Sequence, residues 1–190
     1  MGLLRALDLG ILLVWIFLDG MIVFPRGRGH GPTRTSDRRS TLAIILATCS
    51  GIGLALLLAK GGAGHFGRLT LPVQIGGLAI LAGGISVRSV AIAQLGRFHM
   101  PVVAVQSGHR LVDRGLYRYV RHPSYLGASI AFLGFGLGLG SWLSAGAIVV
   151  LTTVGYLYRI HVEEQALVAG LGDAYTAYRA RTWRLVPWIY

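Results

Sequence analysis

Residues 123–158 form a run of 36 residues that contains no charged side chain. Such a run is too long and too apolar for one core helix of a soluble domain, and a transmembrane helix needs only about 20 apolar residues. The stretch Gly138-Leu139-Gly140-Ser141 in its middle is typical of a turn. The run therefore predicts a hairpin of two short helices, each just long enough to cross about 30 Å of hydrocarbon.

Three more apolar segments precede this run, at residues 3–23, 41–59 and 69–93. The chain is 54% hydrophobic and only 13% charged, and its mean hydropathy of +0.62 argues against a soluble domain. We therefore predict an all-α polytopic membrane protein with five transmembrane helices, of which helices 4 and 5 form the hairpin.

Most basic residues lie in the segments between these helices and after the last of them. Eighteen Lys and Arg oppose seven Asp and Glu, a formal net charge of +11. Fourteen of the eighteen lie within residues 26–39, 97–121 and 159–184, and the predicted helices place all three segments on one side of the membrane. The positive-inside rule makes this side the cytoplasm. The charge needs no nucleic acid to explain it, and we predict no nucleic-acid partner.

Small residues recur within helices 3 and 4. They are Gly76, Gly77, Gly83 and Gly84 in helix 3, and Gly127, Ala131, Gly134 and Gly138 in helix 4. Such residues permit close packing of helices in a membrane, but they could also leave a slot for a lipid tail. The sequence does not separate these two interpretations.

Almost all polar residues that could do chemistry fall in two cytoplasmic stretches, 109–125 and 159–178. The first contains RHP at 121–123, where the proline suits the first turn of helix 4. In the second, Arg159 and Glu163 are four residues apart, so they project from one helix face toward the same volume. Taken alone, an interfacial arginine and a solvated pair of glutamates also explain these residues.

The motifs in these stretches occur in a specific order. They are LGRF, GHRLVDRGLYRYVRHPSYLG, RIHVEEQAL, LGDAYTAY and RLVP, which together extend over residues 95–187. The set resembles the isoprenylcysteine carboxyl methyltransferase family, integral membrane enzymes that use S-adenosylmethionine, and LGRF and RLVP fit its bacterial members. The resemblance implies one membrane domain over residues 1–190, with helices 1–3 in residues 1–93 and a catalytic half in residues 94–190.

The resemblance also implies roles for individual residues. The cofactor-binding residues that it implies are His109, Arg110, Leu111, Val112, Tyr117, His122, Pro123, Ser124, Tyr125 and Glu163. Arg159 is implied to face the substrate carboxylate. The activity implied is transfer of a methyl group to the carboxylate of an isoprenylcysteine or a similar lipid-like substrate, in a pocket on the cytoplasmic side of a bacterial inner or plasma membrane.

Elementary chemistry fits these roles. A carboxylate is already deprotonated at pH 7, so its methylation needs alignment and desolvation but no general base. An arginine can hold a carboxylate by two parallel bonds, and Arg121 competes with Arg159 for this task.

No glycine-rich turn follows a predicted strand, which excludes the common soluble methyltransferase fold. No histidine pair has metal-ligand spacing, so we predict no metal.

Alternatives remain open on the sequence. A phospholipid or amine N-methyltransferase would need a base, for which His161 or Glu164 could serve. A sterol-reductase-like enzyme would bind NADPH in a related fold, and a scaffold or transporter would use the polar clusters only at the interface. Ala128 and Ser129 replace an aromatic pair found in eukaryotic members of the family, which leaves the lipid substrate undefined. Nothing in the sequence indicates the oligomeric state.

Overall fold

The computed structural model describes residues 2–23, 38–96 and 111–190, except for the side chains of 18–23 and 38. The α-helices in these segments are α1 (Gly2–Val23), α2 (Arg38–Lys60), α3 (Thr70–Leu95), α4 (Pro123–Gly138), α5 (Trp142–Leu171) and α6 (Asp173–Ala180). Short 3₁₀ helices at Gly67–Leu69 and Gly115–Arg118 precede α3 and α4. The described segments contain two isolated β-bridges but no strand, which confirms the all-α prediction.

The charge-free run folds as the predicted hairpin of α4 and α5. Gly140 in the turn has a φ of +78°, a conformation that glycine adopts without steric cost. Ser141 caps α5, because its side chain accepts a bond of 3.1 Å from the amide of Ser144. The same hydroxyl donates to the carbonyl oxygen of Ala63 at 2.6 Å. The turn is thereby tied to the connection between α2 and α3.

The hairpin lies at the centre of the bundle. α3 packs along α4 and α2 packs along α5, while α4 and α5 also contact each other. Phe132 and Phe135 of α4 and Ile148 of α5 are buried in this core. α1 contacts α4 and α3, and its Trp15 ring lies 5.4 Å from the ring of Phe132. The start of α4 and the end of α5 are thus held together at the end of the hairpin opposite its turn.

Among the described residues, three helices are long and apolar enough to cross a membrane: Arg39–Lys60, Gly67–Leu95 and Trp142–Leu171. The chain is therefore an integral membrane protein. α4 has only 16 residues, about 24 Å at 1.5 Å per residue, which is shorter than the hydrocarbon layer. The sequence predicts five spans, so the count shown by these helices is smaller than the predicted one.

Five of the small residues lie where α3 and α4 approach each other closely. A Cβ at Gly84 would lie against the backbone nitrogen of Ala131 and 2.7 Å from the carbonyl oxygen of Gly127. A Cβ at Gly134 would lie 2.7 Å from the carbonyl oxygen of Gly77. The facing backbone fills these positions, so the interpretation as helix packing is correct here and no lipid tail fits.

Replacing Gly84 with alanine should destabilise the bundle, because the added methyl group overlaps backbone that cannot move aside locally. We expect a loss of about 1–3 kcal/mol of unfolding free energy. Gly83 is the matched control, since a Cβ there would meet nothing within 4 Å. Thermal unfolding in detergent should show a lower Tm for Gly84→Ala and an unchanged Tm for Gly83→Ala. Equal Tm values for the two variants would contradict this packing.

Candidate active site

The first polar stretch meets the tail after α6 where the chain enters α4. The amide of Arg121 donates to the carbonyl oxygen of Trp183 at 2.8 Å, and the amide of Trp183 donates to that of Tyr119 at 2.9 Å. The amide of His122 donates to the carbonyl oxygen of Arg184 at 3.2 Å. The tail after α6 is thus hydrogen-bonded to the loop before α4. Both lie against the part of α5 that follows the charge-free run and that the sequence predicts to be cytoplasmic.

Glu164 is the centre of a buried ionic cluster at this junction. Its Oε1 accepts from Nε of Arg121 at 2.9 Å and lies 3.4 Å from Nε2 of His122. Its Oε2 accepts from Nη2 of Arg184 at 2.7 Å. The Glu164 side chain is only 4% exposed, so these partners replace the water that a carboxylate needs.

Arg121, the second candidate for binding the substrate carboxylate, is part of the same cluster. Its Nη1 donates to the carbonyl oxygen of Arg179 at 2.9 Å and to that of Thr182. Together with the bond to Glu164, these contacts tie Arg121 to α5, to α6 and to the tail. Nε and Nη1 of this guanidinium therefore already bond to the protein itself.

Glu163 has a different environment, although it is adjacent in sequence. Its Oε2 accepts a bond of 3.0 Å from the hydroxyl of Tyr125, and the side chain is partly exposed. Nε of Arg159 lies 3.4 Å from the same hydroxyl. Arg159, Tyr125 and Glu163 therefore form a polar row along one face of α5 and the first turn of α4, as the four-residue spacing of Arg159 and Glu163 predicts.

Arg159 is only 3% exposed, and α2 supplies partners for it that the sequence did not indicate. Its Nη1 donates to Oγ of Ser40 at 2.8 Å and to Oγ1 of Thr41 at 3.1 Å. No motif marks Ser40 or Thr41, because two hydroxyls at the start of an apolar helix have no diagnostic spacing. These bonds hold the Arg159 guanidinium in place within the polar row.

The other predicted cofactor residues that the structure describes lie in the segment that leads into α4 and in its first turn. Tyr117 is 5% exposed, and its carbonyl oxygen accepts a bond of 2.7 Å from the hydroxyl of Tyr178. Pro123 occupies the first turn of α4, as predicted, and Ser124 beside it is buried. Leu111 and Val112 are half-buried before the 3₁₀ helix Gly115–Arg118, whereas His109 and Arg110 lie outside the described residues.

The phenols of this region are protonated at neutral pH, since the pKa of an ordinary tyrosine is already about 10. Burial raises the pKa of Tyr117 further, and so does the nearby charge of Glu163. Burial also raises the pKa of Tyr178. Both groups therefore remain hydrogen-bond donors at neutral pH.

Tyr175 lies in the quoted LGDAYTAY motif, but the sequence suggested no role for it. The side chain is 2% exposed, and its hydroxyl has no hydrogen-bond partner among the described residues.

Within the described segments, no group of three side chains of the metal-ligating types comes together. The site is thus built from arginine, glutamate and tyrosine.

Residues 77–169 match a known family. The family model for the isoprenylcysteine carboxyl methyltransferase (ICMT) family covers residues 77–169. The protein-S-isoprenylcysteine O-methyltransferase of Schizosaccharomyces pombe is 36% identical over 118 residues, which are 61% of this chain and 50% of that protein. Protein-S-isoprenylcysteine O-methyltransferase B of Arabidopsis thaliana is 33% identical over 60% of this chain and 58% of that protein.

A second group of relatives has a different acceptor in its name. The methanethiol S-methyltransferase of Mycobacterium tuberculosis is 39% identical over 75 residues, which are 38% of this chain and 29% of that protein. The chain thus spans from about a third to just over half of the length of these three relatives.

A solved structure shares the fold. The eukaryotic intramembrane Ras methyltransferase ICMT superposes with a TM-score of 0.58 and 24% identity, over 82% of this chain and 55% of that chain. At this level of identity, the similarity establishes the architecture and leaves the substrate to be argued from the site.

Proposed function

Since residues 77–169 of this chain belong to the isoprenylcysteine carboxyl methyltransferase family, we propose that the protein methylates the carboxylate of an isoprenylcysteine or a similar lipid-like acceptor. S-adenosylmethionine is the proposed methyl donor. The observation that carries this proposal is the polar row of Arg159, Tyr125 and Glu163, which sets a buried guanidinium one helical turn from a partly exposed carboxylate.

The described residues fit this donor. When bound, S-adenosylmethionine supplies an activated methyl group, and it carries cationic groups that favour an anion such as Glu163. Tyr117 supplies a protonated phenol close to Glu163. We assign cofactor binding to Glu163, Tyr117 and Tyr125, together with the predicted residues around them.

Arg159 is the residue that we assign to the acceptor carboxylate. The charge of Arg121 is paired with the carboxylate of Glu164, whereas the bonds described above join Arg159 to neutral hydroxyls, so we assign Arg121 to holding the site together. Ser40 and Thr41 hold the Arg159 guanidinium, and Tyr125 links it to Glu163. No residue needs to take a proton, because the acceptor is already a carboxylate at neutral pH. The protein's contribution is alignment of the two reactants and exclusion of water.

We further propose that all five helices α1–α5 cross the membrane, which places the site in the cytoplasm. The short α4 would then lie in a locally thinned layer or be shielded by α3. In a Cys49→Ser background, cysteines introduced at the exposed positions Arg68 and Ala177 should be labelled from opposite sides of inverted vesicles. Labelling of both from the same side would contradict this topology.

Thiol methylation is a second candidate function, favoured by the similarity to methanethiol S-methyltransferases. A guanidinium such as Arg159 would then stabilise a thiolate acceptor by lowering the pKa of the thiol. Parallel assays with a farnesylcysteine analogue and with a small alkyl thiol separate the two candidates, and we expect turnover of the farnesylcysteine analogue.

Calorimetric titration of the purified protein tests the proposed donor. We expect saturable binding of S-adenosylmethionine and no binding of NADPH. Binding of NADPH alone would instead support a reductase of the sterol type.

A further inference from the structure

Tyr175 is the largest fully buried side chain of the described residues, yet its hydroxyl has no hydrogen-bond partner there. Buried polar groups are nearly always paired, because a hydroxyl removed from water without a partner costs free energy. An orphaned hydroxyl in a native protein therefore needs an explanation. A ligand that completes the bond is one such explanation.

The surroundings of Tyr175 belong to the site. It lies on α6, one turn before Arg179, whose carbonyl oxygen accepts from Arg121. Burial raises the pKa of its phenol, and the charges of Glu164 and Glu163 raise it further. The phenol is thus protonated at neutral pH and within electrostatic reach of both glutamates.

Three of the four carboxylate oxygens of Glu163 and Glu164 already accept bonds from other side chains. Both carboxylate oxygens of Glu164 accept bonds from arginines, and Oε2 of Glu163 accepts from Tyr125. The neighbouring Tyr178, whose ring centroid is 5.9 Å from that of Tyr175, donates to the carbonyl oxygen of Tyr117. Two similar phenols on one short helix therefore differ: one is paired with backbone, and the other is left without a partner.

We propose that the Tyr175 hydroxyl is a further binding group for the methyl donor, to which it gives a hydrogen bond. The inference rests on the proposed function and extends the set of cofactor-binding residues to α6. An acceptor atom of S-adenosylmethionine, such as a carboxylate or hydroxyl oxygen, completes the bond that the protein alone does not supply.

Tyr175→Phe tests this assignment without catalysis. S-adenosylhomocysteine, the demethylated product of the donor, serves as the titrated ligand in calorimetry because it cannot turn over. We expect its affinity to fall about 3- to 10-fold, the range for one neutral hydrogen bond. The ligand-free Tm should stay the same or rise, because the variant removes an unsatisfied buried hydroxyl.

Two control variants separate binding from folding. Tyr178→Phe removes a hydroxyl that is bonded to backbone, so its ligand-free Tm should fall. Tyr119→Phe removes a hydroxyl from a side chain that is 63% exposed, so neither quantity should change. Unchanged affinity in Tyr175→Phe would overturn the inference, and so would a lower affinity accompanied by a fall in Tm like that of Tyr178→Phe. Absence of binding in the unmodified protein would instead overturn the proposed function.

Discussion

Replacing Arg159 with lysine should lower kcat/KM for an isoprenylcysteine analogue about 10- to 1000-fold, which corresponds to about 1.4–4 kcal/mol of transition-state stabilisation. Lysine keeps the positive charge but loses the fork that holds a carboxylate by two parallel bonds. The affinity for S-adenosylmethionine should change little, because Glu163 and its partner Tyr125 remain. Steady-state kinetics and a binding titration measure the two effects separately.

Arg181→Lys is the matched control for this prediction. Arg181 lies in the tail, its side chain is 62% exposed, and it is paired with Asp113 at 2.6 Å. Exposed pairs of this kind contribute little, so the control should keep full activity. Full activity in Arg159→Lys as well would contradict the role assigned to Arg159 and would mean that another residue, such as Arg121, holds the carboxylate of the analogue.

The same substitution should affect a different property at each of the two adjacent glutamates: stability at Glu164 and binding of the methyl donor at Glu163. Glu164→Gln removes the charge that compensates Arg121 and Arg184 in a buried cluster, so we expect a loss of about 3–5 kcal/mol of unfolding free energy. Glu163→Gln should leave the Tm nearly unchanged, since an amide oxygen can still accept from Tyr125. It should weaken binding of S-adenosylmethionine by about 1–3 kcal/mol.

Thermal unfolding and calorimetric titration measure the stability and the donor affinity of both variants. Each variant is the control for the other, because the substitution is identical and the positions are consecutive. A stable Glu164→Gln protein that no longer binds the donor, beside a Glu163→Gln protein that binds normally, would exchange the roles assigned to the two residues.

The helical architecture could be predicted from the sequence because apolar length and turn residues act locally. The charge-free run 123–158 and its glycine-rich centre lead directly to the α4–α5 hairpin. Whether each helix crosses the whole membrane is harder to predict. α4 is shorter than the hydrocarbon layer of a bilayer, so its position depends on the helices that pack against it.

Spacing predicted the shared face of Arg159 and Glu163, but it could not separate Glu163 from Glu164. Residues at consecutive helical positions point about 100° apart, and which face meets the tail depends on how distant segments pack. The cluster around Glu164 needs Arg184, which lies 20 residues later in the chain. A single sequence carries no signal for such a pairing.

Isolated hydroxyls and glycines show the same limit. Ser40 and Tyr175 acquire their significance only from what packs against them, or fails to pair with them, in the folded chain. Gly83 and Gly84 are indistinguishable in sequence, yet one faces open space and the other faces the backbone of α4. The residues that carry a family motif can therefore be named from sequence, whereas their supporting partners require the fold.

The most direct test of the account is the fate of the transferred methyl group. Purified protein is incubated with an N-acetylated farnesylcysteine and with S-adenosylmethionine that is tritiated in its methyl group, and the product is then treated with alkali. Methylation of a carboxylate gives an ester, so the label should be released as volatile methanol, and Arg159→Lys should release much less. Label that stays in the product after alkali, or no incorporation at all, would contradict carboxyl methylation.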